Sequence, residues 1–598
     1  MEKPRRRSRI VLTENIFMRI EILKRSAVML YLTVVFSVFT IAQNTTSTLT
    51  GTTSDSDDIL PGAVVKLTEV ESGISYSAIS NQKGQFRITG LTPGGPYRLE
   101  VSYVGHKKSV IDIKRISLGE VYSCNVELTT GNELQEVIVK GQAAALRKTG
   151  SSESISAEDI DNKATVDRTL QDILAMSPYY IGSGSFGGRD GGMNNYSIDG
   201  ANFNANMGLD REKMPGAGTP FALEALEDIQ IVNSAFDVKN SNFMGATINA
   251  VTKKGTNTFR GSAYHFYKDE SLRGNRVDGE ELTSPRGDIK RTIYGLTLGG
   301  PIIKDKLFFF VSAELENTPL QLHQWQASKD GVEDGKNLIS RVTESDMKQF
   351  ASDLQSIYGW NPGSYNDFTG DNKFFRLMSR IDWNISKYHK LTLRYNQTNG
   401  KKDNSYSSPG MGMNDGRVSI YSMVFDGSNW KKVDNVYSLT GELNSRFGNN
   451  ITNTLRASFT FNDANNRECD AAFPCIEIMK PYDGDGKNHA YMSAGYDPYA
   501  WLNGINEKSW NVVDNMNISL GNHFLTVGAG FESTKASNCY MKYGAGYYRY
   551  ASYDDFLQKK APVAFAMCWS LTGKERALSD VTYNRLSAYL QDEWQLSD

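Results

Sequence analysis

The chain has 598 residues and a formal net charge of −3, so no global basic field points to nucleic acid. Aromatics make up 11%, with 53 glycines and 30 tyrosines at a mean hydropathy of −0.43; this suits strands and turns better than a bundle of apolar membrane helices, and a transmembrane barrel and a large secreted β-protein would both give it. The five cysteines (Cys124, Cys469, Cys475, Cys539 and Cys568) include no C-x-x-C pair and the six histidines are scattered, which argues against a zinc site, thiol-redox chemistry or any other metal or cofactor centre.

Arg19, Lys24 and Arg25 precede an apolar run from Ala27 to Ala42. A basic stretch, an apolar stretch and a small residue before Gln43 read as a secretory signal over residues 1–42. Met18 offers an alternative start. A single membrane anchor is the other reading, but the run falls short of the about 20 residues that a spanning helix needs. The expected chain is exported.

Residues 43–130 alternate short strands with clusters of Gly, Pro, Asn and Asp, the pattern of a small β-sandwich. Leu60-Pro-Gly-Ala, Asn81-Gln-Lys-Gly-Gln-Phe, Leu91-Thr-Pro-Gly and Tyr103-Val-Gly-His, in that order, resemble the carboxypeptidase-regulatory-like domain. The resemblance implies a transthyretin- or Ig-like sandwich, also described as carbohydrate-binding-like, of the kind found at the front of Bacteroidetes outer-membrane receptors. No sugar-binding residue stands out, and a spacer role is equally open.

The linker, residues 131–149, contains Glu136, Val137, Ile138 and Val139, a short alternating segment able to add to another sheet's edge. It resembles the TonB box of such receptors, which implies contact with a TonB-type energy-transducing complex; the same residues also read as the first strand of the module that follows. That module, residues 150–255, is α+β. Thr169–Pro178 has helical apolar spacing and stops at proline, while Leu226–Val232 and Ala246–Thr252 alternate as strands. Ile198-Asp199-Gly200, followed by those two segments, resembles the plug of TonB-dependent receptors, closer to the Oar-like than to the SusC-like branch. Gly182-Ser-Gly-Ser-Phe-Gly187 fits a dinucleotide fingerprint, but it lacks a βαβ setting and reads as a loop.

From residue 256 to 598 the pattern is that of a transmembrane antiparallel β-barrel. Leu307, Phe309, Val311, Ala313 and Leu315 alternate with Phe308, Phe310, Ser312, Glu314 and Glu316; Phe375, Leu377, Ile381 and Trp383 alternate with Arg376, Arg380 and Asp382. One face suits lipid and the other a wet lumen or a plug. Short turns near 304–306, 386–389, 448–450 and 521–522 alternate with long polar segments, as in a barrel with short periplasmic turns and long outer loops. About ten strands fit this template. Within the loops, Ser345–Ile357 reads as a capped amphipathic helix. Cys469 and Cys475 bracket a loop tip that a disulfide could close, or remain thiols. Asp483-Gly-Asp-Gly-Lys reads as a turn and lacks the spacing of an EF-hand.

The expected class is therefore mainly β: a sandwich, an α+β plug and the first part of a barrel. By resemblance a complete barrel has about 22 strands, so the chain reads as a C-terminally truncated fragment that is not expected to work as a transporter alone. The resemblance implies a TonB-dependent outer-membrane receptor for energised uptake of an unidentified external ligand, not an enzyme. Outer-membrane lipid surrounds it, the N-terminal domain and linker lie in the periplasm, and a surface lipoprotein is a candidate partner. A non-transporting surface protein serving adhesion or signalling is the rival reading.

Overall fold

A computed structural model of the chain describes residues 45–131, 137–139, 144–147, 150–165, 167–204, 214, 219–240, 243–282, 287, 289–366, 368–406, 416–469 and 473–595. The expected signal, residues 1–42, and Glu136 lie outside the described residues. No helix among them is long and apolar enough to cross a membrane.

The N-terminal domain is a sandwich of two five-stranded sheets. One contains Ser47–Ser54, Gln85–Leu91, Val121–Ser123, Val126–Glu127 and Ala144–Arg147; the other has the order Ser75–Ile79, Val64–Glu69, Tyr97–Ser102, Ser109–Ile113, Val137–Val139. Alternation in each strand turns Leu49, Val65, Leu67, Phe86, Ile88, Leu99, Val101 and Ile111 into the space between the sheets, where they are buried. At one tip Asp55 accepts from the N–H groups of Asp57 and Asp58 and lies 2.9 Å from His106 Nε2.

The second domain is built on a five-stranded sheet in the order Gly150–Ser156, Leu226–Ala235, Thr247–Thr252, Asn195–Ile198, Ala201–Asn202. Thr247–Thr252 and Asn195–Ile198 pair in parallel and are buried throughout. Helix Leu170–Leu174 begins at Thr169, whose hydroxyl accepts from the Asp172 N–H while the Asp172 carboxylate accepts from the Thr169 N–H. The helix sets Leu170, Ile173 and Leu174 on the apolar core. The glycine-rich Gly182–Gly187 segment is part of a hairpin, Tyr180–Gly182 with Ser185–Phe186.

The third part is one antiparallel sheet of ten strands, each paired with the next in sequence: Arg260–Asp269, Lys290–Ile303, Leu307–Asn317, Asn372–Asn384, His389–Asn404, Trp430–Phe447, Ile451–Glu468, Gly504–Leu520, His523–Cys539 and Leu578–Trp594. The inner face of Asn372–Asn384 buries Phe374, Arg376, Met378, Arg380 and Asp382 against the plug, while Ile381 and Trp383 face outward and are exposed. The strands reach 18 residues, well beyond the about 9–11 needed to cross a bilayer, so they continue past it on the side of the long connections.

There the long connections form a layer of their own, which periodicity did not reveal. A second sheet has the order Met423–Val424, Lys487–Ala494, Cys475–Tyr482, Tyr547–Tyr550, Ala564–Ala566. Helix Glu344–Tyr358, capped by Thr343 and not by Ser345, packs Met347, Phe350 and Leu354 into a core shared with Phe425, Ile478, Met492 and Phe556. Cys469 and Cys475 are not bridged in the structure; the second-sheet strand carries Cys475 into a buried cluster with Tyr543 and Tyr547. Burial there pushes its thiol up to about 12. Asp483–Gly486 is a hairpin turn, with the Asp485 carboxylate taken by the Lys487 N–H and His489.

The Asp55–His106 pair gives a pH-dependent prediction. Hydrogen bonds from Asp58 and His106 hold the Asp55 carboxyl down at about 2, and the Asp55 carboxylate holds His106 above 6.5. The stabilisation should persist across the acidic range, fading as pH falls toward 2 through Asp55 and as pH rises through the raised His106 value. An NMR titration of His106 should give a midpoint above 6.5, and Asp55→Asn should return it to the ordinary histidine range.

Candidate functional site: the plug–barrel contact

The residues that best define a working site are those where the plug meets the barrel wall. Strand Asn195–Ile198 runs into a reversal at Asp199 (φ 48°) and Gly200 (φ 76°) before pairing back with Ala201–Asn202. Both lie in the left-handed region, where glycine costs nothing and Asp is among the better-tolerated side chains. A Cβ at Gly200 would lie 1.9 Å from Arg456 Nη1. Glycine suits the backbone angle there, and any side chain would have to displace the Arg456 guanidinium. Ile198 points into the plug core, and the reversal presents Asp199 to the wall.

The Asp199 carboxylate is buried and accepts from Thr252 N (3.1 Å) and Thr252 Oγ1 (2.7 Å). It stands 3.8 Å from Arg380 and 3.5 Å from Arg394, and its backbone carbonyl accepts from Arg394 Nη1 at 3.2 Å. Arg380 donates to both oxygens of Asp382 at 2.7 and 2.9 Å, and to the Thr252 carbonyl at 3.0 Å. Asp382 also receives Thr392 Oγ1 at 2.9 Å and faces Lys390 at 3.4 Å. Glu442 faces Arg394 at 3.6 Å and Arg456 at 3.7 Å. Barrel cations and carboxylates thus alternate around one plug carboxylate, with the signs nearly balanced.

This arrangement is suited to holding: its members pair with one another by ion pairs and hydrogen bonds, and no His/Cys/Asp/Glu group able to hold a metal occurs among the described residues. It can part without breaking a covalent bond, because every contact is an ion pair or a hydrogen bond. Sequence periodicity placed Arg380 and Asp382 on the inner face, but nothing in the pattern paired them with Asp199. That pairing follows from how deep the plug sits.

The linker residues lie elsewhere. Val137–Val139 forms a parallel edge strand on the N-terminal domain, registered with Ser109–Ile111, and Ala144–Arg147 pairs with the other sheet of the same domain. The next strand, Gly150–Ser156, is the edge of the plug sheet and is bonded to Leu226–Ala235. The candidate linker segment therefore joins the plug at the outermost strand of its sheet.

Residues 251–324 and 337–598 match the family described as Outer membrane beta barrel domain, and residues 48–129 match the Carboxypeptidase regulatory-like domain. The TonB-dependent transporter Oar of Myxococcus xanthus is 24% identical over 382 residues, covering 59% of this chain and 33% of Oar. The outer-membrane transporter YddB from Escherichia coli shares the fold with a TM-score of 0.50 at 12% identity, over 74% of this chain and 54% of YddB. The chain thus spans about a third of the length of Oar and about half that of YddB.

Removing the plug's carboxylate leaves Arg380 and Arg394 facing one another with less compensation. Breaking a buried pair typically costs about 3–5 kcal/mol. Asp199→Ala should therefore speed hydrogen exchange across Thr247–Thr252 while leaving the N-terminal sandwich strands protected. Unchanged protection of Thr247–Thr252 would show that Asp199 does not hold the plug.

Proposed function

Because the chain belongs to the outer-membrane β-barrel family and has the domain order of a TonB-dependent receptor, we propose that it serves energised uptake of an external ligand. The observation that carries this reading is mechanical. The plug is seated on the barrel wall by the polar network around Asp199, and the linker enters it at the edge strand Gly150–Ser156. An edge strand can be drawn off by breaking one row of hydrogen bonds, whereas a central strand would require two.

In this reading a TonB-type complex engages the linker around Val137–Val139 by strand addition, with Glu136 beside it, and tension passes into the plug sheet. The N-terminal domain and linker face the periplasm, and the layer of long connections faces outward and receives the ligand, with or without a surface lipoprotein. The outward barrel residues, such as Leu296, Leu298, Ile381 and Leu393, lie against lipid. The reading includes no enzymatic step.

A second reading, adhesion or signalling without transport, draws on the same outer layer. Its apolar core makes it a firm display surface. One experiment separates the two. Deleting Glu136–Val139 should abolish cross-linking to the energy-transducing partner and abolish uptake, while barrel insertion, read by protease resistance, stays intact. If partner cross-linking and uptake both survive, the transport reading fails.

A further inference from the structure

The N-terminal domain does not hang free of the plug. Arg115 Nη1 donates to Glu227 Oε1 at 2.8 Å, and Nη2 donates to the Glu227 carbonyl at 2.7 Å and to Asp228 Oδ2 at 2.9 Å. The Leu118 N–H donates to the same Asp228 oxygen at 3.1 Å. A second anchor pairs Glu69 with Lys254. A third joins Glu71 to the plug–barrel junction, through Arg260 at 2.6 Å and through its carbonyl, which accepts from Asn257 N at 2.9 Å. Asp228 and Glu69 have fully buried side chains. A buried charge is held in place by its partners, so these contacts fix the seating. Burial pushes the Glu69 carboxyl up, but Lys254 and Lys390 outweigh it and hold it below its ordinary range.

Asp228 has another partner. Its Oδ1 accepts from Ser154 Oγ at 2.7 Å, and Ser154 lies on the edge strand that continues from the linker. One buried carboxylate therefore joins the N-terminal domain, the edge strand of the plug sheet and the strand beside it. Beside this contact the docked domain borders a half-open cavity of about 540 Å³. Ile74 and Tyr76 of the domain, Val251 and Thr252 of the plug, and Lys390 and Ser445 at the base of the barrel line it. The short barrel turns lie at this same end.

We infer that the N-terminal domain is an exit gate over the short-turn end of the barrel, latched by Asp228 and released when strand Gly150–Ser156 is drawn away. This rests on the transport reading for its purpose, but not for its test. Withdrawing Ser154 removes one of the Asp228 partners. The carboxylate then keeps fewer donors to orient it toward Arg115 and Leu118, and this anchor of the domain weakens.

The test needs neither substrate nor partner. Ser445 is buried in the cavity wall, so Ser445→Cys in the full chain should react slowly with a maleimide while the gate is shut, read peptide by peptide. Adding Arg115→Ala or Asp228→Asn should raise the labelling rate about tenfold, as expected for losing hydrogen bonds to a charged group. Ser154→Ala should also raise it, although Ser154 touches no residue of the N-terminal domain in the bonds that define the latch. Joining Glu71→Cys to Asn257→Cys by a disulfide should restore slow labelling in all three. Protection of the Leu99–Val101 amides reports that the domain itself stays folded. Labelling unchanged by Arg115→Ala overturns the gate, and labelling unchanged by Ser154→Ala overturns the shared latch. Neither result bears on linker cross-linking, so failure here is distinct from failure of the transport reading.

Discussion

Charge on the inner wall of a membrane barrel has to be answered from inside the barrel. Arg376, Arg380, Arg394 and Arg456 all point inward and are nearly fully buried, and lipid offers nothing on the other face. Some partners come from neighbouring strands, as Asp382 does for Arg380 and Glu314 for Arg376. The remainder come from the plug: the Asp199 carboxylate and carbonyl, the Thr252 carbonyl, and the Thr219 carbonyl that receives Arg376 Nε at 2.7 Å. The wall and the plug are therefore each incomplete as electrostatic objects. Together they satisfy one another.

This mutual need also explains how the plug can be both well seated and removable. An apolar seat of the same area would release poorly into water. Ion pairs and hydrogen bonds can be exchanged for water as it enters, so the cost falls progressively once an opening begins. The apolar contacts among the described residues are small: Phe310 and Met378 with Ala222 and Ala225, and Val436 of the barrel at the edge of the plug core. The N-terminal domain follows the same logic, since its seating includes Arg115, Glu69 and Glu71 together with Arg87, which pairs with Glu593 of the barrel.

Much of the architecture was legible in the sequence because it depends on local periodicity. Alternation in Leu307–Leu315 and Phe375–Trp383 separates two faces of a strand, and the alternation of short and long connections orders the strands into a meander. The sandwich could be read from its turn residues. What could not be read was anything set by distance across the fold. Asp199 stood out within a short motif, but its partners Arg380 and Arg394 lie about 180 and 195 positions away. The cysteine pair shows the opposite limit. Nearness in sequence left a bridge and two thiols both open, and it did not reveal that Cys475 lies on a sheet strand. That sheet itself escaped notice because Cys475–Tyr482 and Lys487–Ala494 are buried on both faces for part of their length, which erases the alternation used to find strands.

The outer layer has a consequence beyond the barrel. Phe350, Phe425, Met492 and Phe556 come from four different connections, yet they share one core. A surface assembled this way cannot drift one loop at a time. An insertion in one connection disturbs the shape of the other three, so variation on this face should arise as concerted replacement of the whole layer. A protein binding this layer would meet a discontinuous surface to which all four connections contribute.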